Sequence, residues 1–244
     1  MSDKAPQQDD PRDGRDGIGT LNENSLHAEI IAYLAQPGDI LESELEGYRI
    51  DIHRGGQVIE VQTAHLGKLT RKVKALAESH QIEVVYPIHK LKYIHRVDAE
   101  GETVSRRRSP KQGKLAHAFD ELVYAPHLID HPNVSLTLML IESEEIWQDD
   151  GQGSWRRKYW SIAERNLLKV HSQHRYQQPQ DLLDLLPRSL PAPFTNRQLA
   201  DLLKIPARLA GKITYTFRNM GLVTITGKDG RANLFSITKR TKNT

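Results

Sequence analysis

Asp51 and Glu60 are acidic residues in two β-branched runs that are joined by Gly55 and Gly56. Because both glycines accept a positive φ, the pair predicts a two-residue hairpin turn. That turn sets Asp51 opposite Glu60, with both side chains on the same face of the hairpin. Two facing carboxylates repel each other unless a cation lies between them, and Mg²⁺ takes carboxylate oxygens together with water and phosphates. The spacing predicts a Mg²⁺ (or Mn²⁺) site, with a solvated polar face as the alternative.

The same register positions the rest of the hairpin. It pairs Arg54 with Gln57 and Ile52 with Ile59, and it puts Gln62 on the face that carries the carboxylates. The opposite face is predicted to be apolar and buried, and its residues are Ile50, Ile52, Ile59 and Val61.

The composition of the whole chain is that of a cytoplasmic protein. Its 244 residues include no cysteine, which excludes a disulfide framework and a thiolate metal site. No apolar run approaches the roughly 20 residues of a membrane span, and the polar N-terminus is not a signal peptide. We therefore expect a cytoplasmic location and no membrane partner.

The charge of the chain is unevenly distributed. Residues 188–244 carry 11 Lys and Arg against 2 Asp and Glu, whereas residues 1–187 carry 23 against 29. A concentrated basic segment is typical of proteins that bind a polyanion, although part of it would also serve solubility.

The elements before and after the hairpin predict a mixed sheet flanked by helices. Residues 1–22 are polar and predict a disordered tail. A helix is predicted from about residue 24 to 34, with Glu29 at the edge of its apolar stripe. A helix over 65–80 then leads to a buried strand over 82–88, and this strand–helix–strand order predicts a parallel unit joined to the antiparallel hairpin.

This order of elements over about residues 24–142 resembles the PD-(D/E)XK nuclease superfamily, which has the restriction-endonuclease-like fold. The resemblance implies a Mg²⁺-dependent hydrolysis of nucleic-acid phosphodiester bonds. It also implies that Asp51 and Glu60 hold the metal with a backbone carbonyl near Val61, and that Glu29 on the first helix is the further acidic residue. A surface position of Glu29 is the alternative.

Two residues depart from the superfamily pattern. Ile50 stands where the name-giving proline would be, and Gln62 stands where a lysine is usual, so the chain resembles an E-x-Q variant. Gln62 cannot supply the positive charge of that lysine. A lysine from another element would have to replace it, and the nearest ones in sequence are Lys68, Lys72 and Lys90.

Two further stretches combine cations with other features of nucleic-acid binding. Residues 106–114 predict a basic loop with phosphate contacts, an exposed loop without a ligand being the alternative; its cations include Arg106, Arg107, Arg108 and Lys111. Residues 155–160 interleave arginine with aromatic residues, which suits stacking on bases as well as a packed domain hinge. Ser161-x-x-Glu164 is a capping box that predicts a helix after them.

The basic C-terminal segment resembles a winged helix-turn-helix. Thr195 and Gln198 form a capping box at the start of one helix, Pro206 begins a second, and residues 223–237 predict a hairpin. The alternative to DNA binding is a winged helix that contacts protein. The residues placed to contact DNA are Arg208, Lys212, Tyr215 and Asn219 on the second helix and Lys228 and Arg231 at the hairpin tip.

Together these patterns predict an α/β protein with a nuclease-like domain over 23–150, a helical linker over 151–187 and a winged helix over 188–244. The expected function is that of a metal-dependent endonuclease acting on double-stranded DNA. The alternative is a non-catalytic DNA-binding regulator or architectural protein on a decayed nuclease fold, motivated by Gln62. The chain as a whole also resembles an uncharacterised bacterial family of the same layout. A homodimer stays open, and double-strand cleavage would favour a symmetric one.

Overall fold

The computed structural model describes the backbone of residues 19–238 and the side chains from residue 25 onwards. These residues form an α/β structure in which helices flank a mixed sheet. The predicted disordered tail lies outside the described residues except for residues 19–22, which belong to helix α1 (Gly19–Leu34). Between residues 19 and 238, no helix combines the length and the apolar character that a membrane crossing requires.

The sheet has seven strands in the order β1-β2-β3-β4-β6-β7, with β5 paired to the distal half of β4. The strands are β1 (Ile40–Leu45), β2 (Tyr48–Arg54), β3 (Gln57–Val61), β4 (Gln81–Val97), β5 (Thr103–Arg108), β6 (Val134–Gln148) and β7 (Ser161–Tyr176). Strands β3, β4 and β6 are parallel to one another, and the remaining pairs are antiparallel. The predicted mixed sheet is therefore confirmed.

Helices cover both faces of this sheet. Helix α1 packs on one face, over a buried cluster that includes Ile52, Ile59 and Val85. The other face is covered by α2 (Thr70–Ala77), which follows a 3-10 turn over Leu66–Leu69, and by α3 (Phe119–Leu122), which follows one over Leu115–Ala118. The crossover from β3 through α2 to β4 is the predicted parallel unit.

The hairpin of β2 and β3 has the predicted turn and register close to its tip. Gly55 and Gly56 both have positive φ, and Ile52 pairs with Ile59 as Arg54 pairs with Gln57. The pairing continues no further, so Asp51 and Glu60 are not a cross-strand pair as the sequence predicts.

The predicted alternation of faces also ends at Asp51. Ile52 packs in the cluster under α1, whereas Ile50 packs in the cluster on the opposite side of the sheet. On the neighbouring strand β1, Glu42 lies between the partners of Ile50 and Ile52 and has a φ of 47°. That left-handed residue interrupts the regular pleat at this level.

The helix predicted after Ser161 is a strand in the structure. Strand β7 pairs along β6 from Gln148 and Ser161 at one end to Leu136 and Tyr176 at the other. Because β6 offers an open edge along its whole length, pairing with it satisfies more backbone groups than a short helix would, and the tertiary context overrides the capping signal. The helical linker over 151–187 is corrected to a loop, this strand and a 3-10 helix over Pro179–Leu185.

The predicted basic loop is likewise corrected in part. Arg106, Arg107 and Arg108 lie on β5, which pairs antiparallel with Tyr93 to Val97 of β4. The loop proper begins at Ser109. The cause is again an open strand edge, since β3 ends at Val61 and leaves this side of β4 without a neighbour.

The C-terminal part consists of α4 (Asn196–Leu203), α5 (Ala207–Asn219) and a hairpin of β8 (Val223–Asp229) and β9 (Ala232–Ile237). The capping box of Thr195 and Gln198 is formed, and Gly221 ends α5 with a positive φ. Phe217 of α5 meets Phe119 of α3 edge to face, with ring centroids 5.0 Å apart. The C-terminal part and the sheet therefore share one apolar cluster.

Candidate functional site

Glu60 of β3 and Lys72 of α2 form an ion pair at the carboxyl end of the hairpin. Glu60 is 3% exposed, and its Oε2 lies 2.6 Å from Lys72 Nζ. Lys72 also donates a hydrogen bond to the carbonyl oxygen of Arg49 on β2. Residues 62–69, which include the 3-10 turn, connect β3 to α2, and Lys72 in the first turn of α2 contacts the strand that carries the carboxylate.

Asp51 lies beside this pair, where β2 and β3 separate. Its Oδ2 accepts a hydrogen bond of 2.7 Å from the backbone N–H of Val61, so the side chain replaces a bond of the strand ladder. His27 Nε2, on α1, lies 3.1 Å from the same oxygen. That hydrogen bond to Asp51 raises the pKa of His27 above its ordinary value.

The carboxyl group of Glu60 is held in an environment that disfavours its charge. Burial raises the pKa of Glu60 to about 7, and the negative charge of Asp51 acts in the same direction, whereas Lys72 opposes both. Glu60 Oε1 is buried and has no hydrogen-bond partner among the described residues. A buried oxygen without a partner is a position that a bound ligand would satisfy.

The residues present fit a lightly coordinated divalent cation. Among residues 25–238 no group of three or more His, Asp and Glu side chains is arranged to bind a metal ion. Mg²⁺ is nevertheless often bound by one or two carboxylates, with water and substrate phosphates as its other ligands. Asp51 and Glu60 supply two such carboxylates, and Glu60 Oε1 is the oxygen without another partner.

Three residues predicted for this site lie elsewhere. Glu29 Oε2 accepts a hydrogen bond from the backbone N–H of Leu167, which turns its carboxylate towards β7. The Gln62 side chain donates to the carbonyl oxygen of Ala64. Lys68 lines a separate cavity of about 280 Å³ together with Glu121 and others. Of the predicted lysines, the structure brings Lys72 to the carboxylates.

His27 is the site residue that the sequence analysis does not identify. It lies on α1 next to Leu26, which is fully buried under the helix. The sequence signal for His27 is a polar residue beside the apolar stripe of the helix, and Glu29 has the same signal. Only the position of α1 over the sheet, which no local pattern encodes, decides which of the two reaches Asp51.

The predicted DNA-contacting face of α5 is exposed except for one residue. Arg208, Tyr215 and Asn219 are exposed, and so is Arg218, which the sequence analysis does not single out. Lys212 is half-buried, and its Nζ lies 2.6 Å from Asp120 Oδ1 in an ion pair. Lys228 and Arg231 are exposed on the β8–β9 hairpin.

The basic residues near β5 fall into two groups. Arg106 is engaged within the chain, with its Nε 2.6 Å from Glu144 Oε1 and its guanidinium 4.4 Å from the centre of the Tyr93 ring. Arg107 and Arg108 are exposed. Lys111 lines a cavity of about 630 Å³ between the loop after β5 and the start of α5, where the other cationic residues are Lys92, Lys114 and Lys204.

Residues 24–177 match the family described as a domain of unknown function, DUF8091. The match ends directly after β7, so it contains the whole seven-stranded sheet. A protein of Treponema pallidum (strain Nichols), described as an uncharacterized protein, is 34% identical over 220 residues, which cover 89% of this chain and 86% of the relative. No solved structure matches the chain.

Proposed function

The chain belongs to the DUF8091 family, and we propose that it is a metal-dependent endonuclease that hydrolyses phosphodiester bonds in double-stranded DNA. The observation that carries this proposal is the contact of 2.6 Å between Lys72 and Glu60 beside Asp51. Two carboxylates and a lysine at the point where two strands separate are the functional groups that such a hydrolysis needs. The proposal includes the restriction-endonuclease-like fold for the sheet and a winged helix-turn-helix for the C-terminal part.

Lys72 supports the proposal because it supplies the charge that Gln62 lacks. Its ammonium group is held by Glu60 and by the Arg49 carbonyl oxygen, so its position is fixed before a substrate binds. A positioned cation stabilises the negative charge that develops on a phosphate during attack by water. A lysine on α2 would then take the part of the lysine that the E-x-Q motif lacks on the strand.

Asp51 and Glu60 would hold Mg²⁺ or Mn²⁺. When bound, the ion would neutralise charge on the phosphate oxygens and make water a stronger nucleophile. The N–H of Val61 and the ring of His27 fix the orientation of Asp51, with both contacts on the same carboxylate oxygen. The other oxygen of Asp51 and Oε1 of Glu60 are thus the ones available for an ion.

The C-terminal part supports DNA as the substrate. Helix α4, a short turn, α5 and the β8–β9 hairpin follow in the order of a winged helix, in which the second helix enters the major groove. The exposed residues of α5 and of the hairpin can contact phosphates and base edges; they are Arg208, Tyr215, Arg218, Asn219, Lys228 and Arg231. The ion pair with Asp120 withdraws Lys212 from this surface.

A second function is favoured by a different observation. Gln62 is bonded to its neighbour Ala64, and no third acidic or histidine ligand completes a metal group among the described residues. These features suit a DNA-binding regulator or architectural protein that retains the fold without catalysis. Such a protein would bind duplex DNA in a salt-dependent manner and leave it uncut.

Plasmid cleavage separates the two functions. Supercoiled DNA is incubated at low salt with the wild-type chain and with Glu60→Gln, in Mg²⁺, in Mn²⁺ and in chelator. The nuclease predicts nicking that needs the metal and is lost in Glu60→Gln. A retarded but intact plasmid under every condition would instead establish the binding protein and refute the nuclease.

A further inference from the structure

The loop over residues 153–160, between β6 and β7, exposes two large aromatic side chains. Trp155 is 72% exposed and Tyr159 is 59% exposed. Apolar rings so fully in water are costly to keep on a surface, and pairs of them on one short loop indicate a binding role. The catalytic site described above makes no use of this loop.

The loop is rigid rather than a loose connection. Backbone hydrogen bonds close it: Gly153 N–H donates to the Tyr159 carbonyl at 2.7 Å, and Tyr159 N–H donates to the Ser154 carbonyl at 3.1 Å. A Cβ on Gly153 would overlap the Trp160 carbonyl group, so this position requires glycine. The rings are thus presented at a low entropic cost.

The loop contains strained backbone next to its exposed rings. Lys158 and Tyr159 both have a left-handed conformation, with φ of 55° and 66°. Non-glycine residues in this region are strained, and such residues cluster at functional sites. Tyr159 is exposed at this turn, whereas Trp160 next to it is half-buried.

Trp160, at the end of the loop, packs against the sheet. The Arg96 guanidinium, on β4, lies 5.1 Å from the centre of the Trp160 ring and 5.6 Å from that of Trp147 on β6. Of the aromatic residues in the 155–160 stretch, Trp160 therefore has the packing role expected of a hinge. Trp155 and Tyr159 have no such role.

The charge around the rings selects the partner. Arg156 and Lys158 are exposed cations beside the rings, and the Arg156 guanidinium lies 5.5 Å from the centre of the Trp155 ring. Arg157 between them donates a hydrogen bond to the Trp160 carbonyl oxygen. A strand of nucleic acid carries a phosphate beside each base, so its phosphates can contact these cations while its bases reach the rings. Stacked bases on aromatic rings and phosphates on nearby cations are how unpaired strands are bound.

We propose that the 153–160 loop binds unpaired nucleotides by stacking their bases on Trp155 and Tyr159. This deepens the proposed function and rests on it, because the unpaired nucleotides would belong to the same nucleic-acid substrate. The loop follows the carboxyl end of β6, which lies beside that of β4, whereas β3 already ends at the level of Val85 on β4. From the level of Val61 to Val97, beside the end of β6, β4 extends at most about 40 Å. The loop therefore meets the substrate away from the reacting phosphate.

The test measures binding without cleavage, in chelator and with the full-length chain. The probe is a fluorescent oligothymidylate of about 20 nucleotides, compared with a blunt duplex of the same length and with the matching oligouridylate. The variant is Trp155→Ala/Tyr159→Ala, and Tyr33→Ala, which removes a 52% exposed ring on α1, is the matched control. Circular dichroism verifies that each variant is folded.

We expect the double variant to lose about tenfold or more in affinity for the single strand and to keep its affinity for the duplex, while Tyr33→Ala changes neither. Equal losses for single strand and duplex, unchanged affinity for both, or no single-strand binding by the wild-type chain would each overturn the proposal. If the double variant loses more affinity for the thymidylate, the unpaired nucleotides are DNA; if it loses more for the uridylate, they are RNA. Because no cleavage is involved, single-strand binding without plasmid nicking would count against the nuclease and leave this proposal standing.

Discussion

Lys72 Nζ and Glu60 Oε2 lie 2.6 Å apart, although twelve positions separate the two residues in sequence. Lys72 is in the first turn of α2, and Glu60 is the second-to-last residue of β3. The pair is almost fully enclosed, with Glu60 deeper than Lys72. Ion pairs of this kind contribute little net stability, because the cost of desolvating both charges offsets their attraction. Their presence beside a second carboxylate is more readily explained by chemistry than by stability.

Replacing Lys72 by methionine should therefore affect cleavage more than a change of any exposed lysine on the same helix. We expect Lys72→Met to lower the rate of plasmid nicking by about 100-fold or more, as is typical when a positioned charge is lost. Lys74→Met, which changes an exposed lysine of α2, is the control and should keep the wild-type rate. Equal rates in the two variants would exclude Lys72 from the reaction.

Substitutions of Asp51 on β2 and of Glu29 on α1 should have different effects on cleavage. Asp51→Asn should abolish nicking but leave duplex binding intact, because it would remove a proposed metal ligand and no proposed DNA contact. Glu29→Gln should keep the activity, since Glu29 bonds the Leu167 N–H and an amide oxygen can accept the same bond. A gel shift beside each cleavage assay separates the two effects. Loss of cleavage in Glu29→Gln would show that Glu29 takes part in the reaction after all.

The buried His89 should make the chain sensitive to acid. Burial lowers the pKa of His89 to about 4, with Lys92 acting in the same direction, and its Nδ1 lies 2.7 Å from Ser143 Oγ. In the unfolded chain a histidine takes up its proton near pH 6.5, so the unfolded state binds more protons between about pH 6.5 and 4. The stability should fall as the pH drops through this window, by about 3 kcal/mol.

Denaturation at several pH values measures that fall. In His89→Asn, which can retain the bond to Ser143, the free energy of unfolding should vary less between pH 6.5 and 4. His127→Asn, which changes an exposed histidine, should follow the wild-type curve. Parallel curves for His89→Asn and the wild type would show that the ring is not kept neutral.

Substitutions of Arg208 and Lys212, one turn apart on α5, should affect different properties: the first DNA binding, the second stability. Arg208→Ala should weaken duplex binding. It should also reduce the slope of the logarithm of the binding constant against the logarithm of the salt concentration by about one. Lys212→Ala should lower the melting temperature and leave the salt slope unchanged, because Lys212 pairs with Asp120. Duplex titrations at three salt concentrations distinguish them, and a reduced slope in Lys212→Ala would place that residue on the DNA.

Loss of the ring of Phe217 should destabilise the sheet and the C-terminal part together. Phe217 is fully buried against Phe119, so Phe217→Ala should cost about 3–5 kcal/mol. We expect one cooperative thermal transition in the wild type and in the variant. Two separate transitions in the wild type would show that the shared cluster does not couple the two parts.

Local patterns in the sequence are sufficient to predict much of this structure. The glycine pair sets the turn of the β2–β3 hairpin, and the apolar periodicities locate α2 and β4. These signals depend on neighbours within a few positions. The missed features depend on distant partners: β7 is a strand because β6 lies beside it, and Asp51 and Glu60 are offset because the strands separate at Ile52.

The candidate site shows the same division. Asp51 and Glu60 follow from the hairpin, and a lysine on the next helix follows from the charge that Gln62 lacks. His27 could not be chosen over Glu29, because two residues on one helix differ in direction by roughly half a turn and the docking of α1 decides between them. The packing of Trp160 likewise depends on Arg96, which is far away in sequence.

The contact between Phe119 and Phe217 also bears on the products that the proposed enzyme would release. A buried edge-to-face contact holds α5 against the sheet, so the proposed DNA-binding surface and the proposed metal-binding carboxylates would keep a constant separation. The protein would then cut at a fixed distance from the DNA segment that it binds. Each cut would fall at a constant number of base pairs from the anchored segment, and the fragments would share one narrow distribution of end positions.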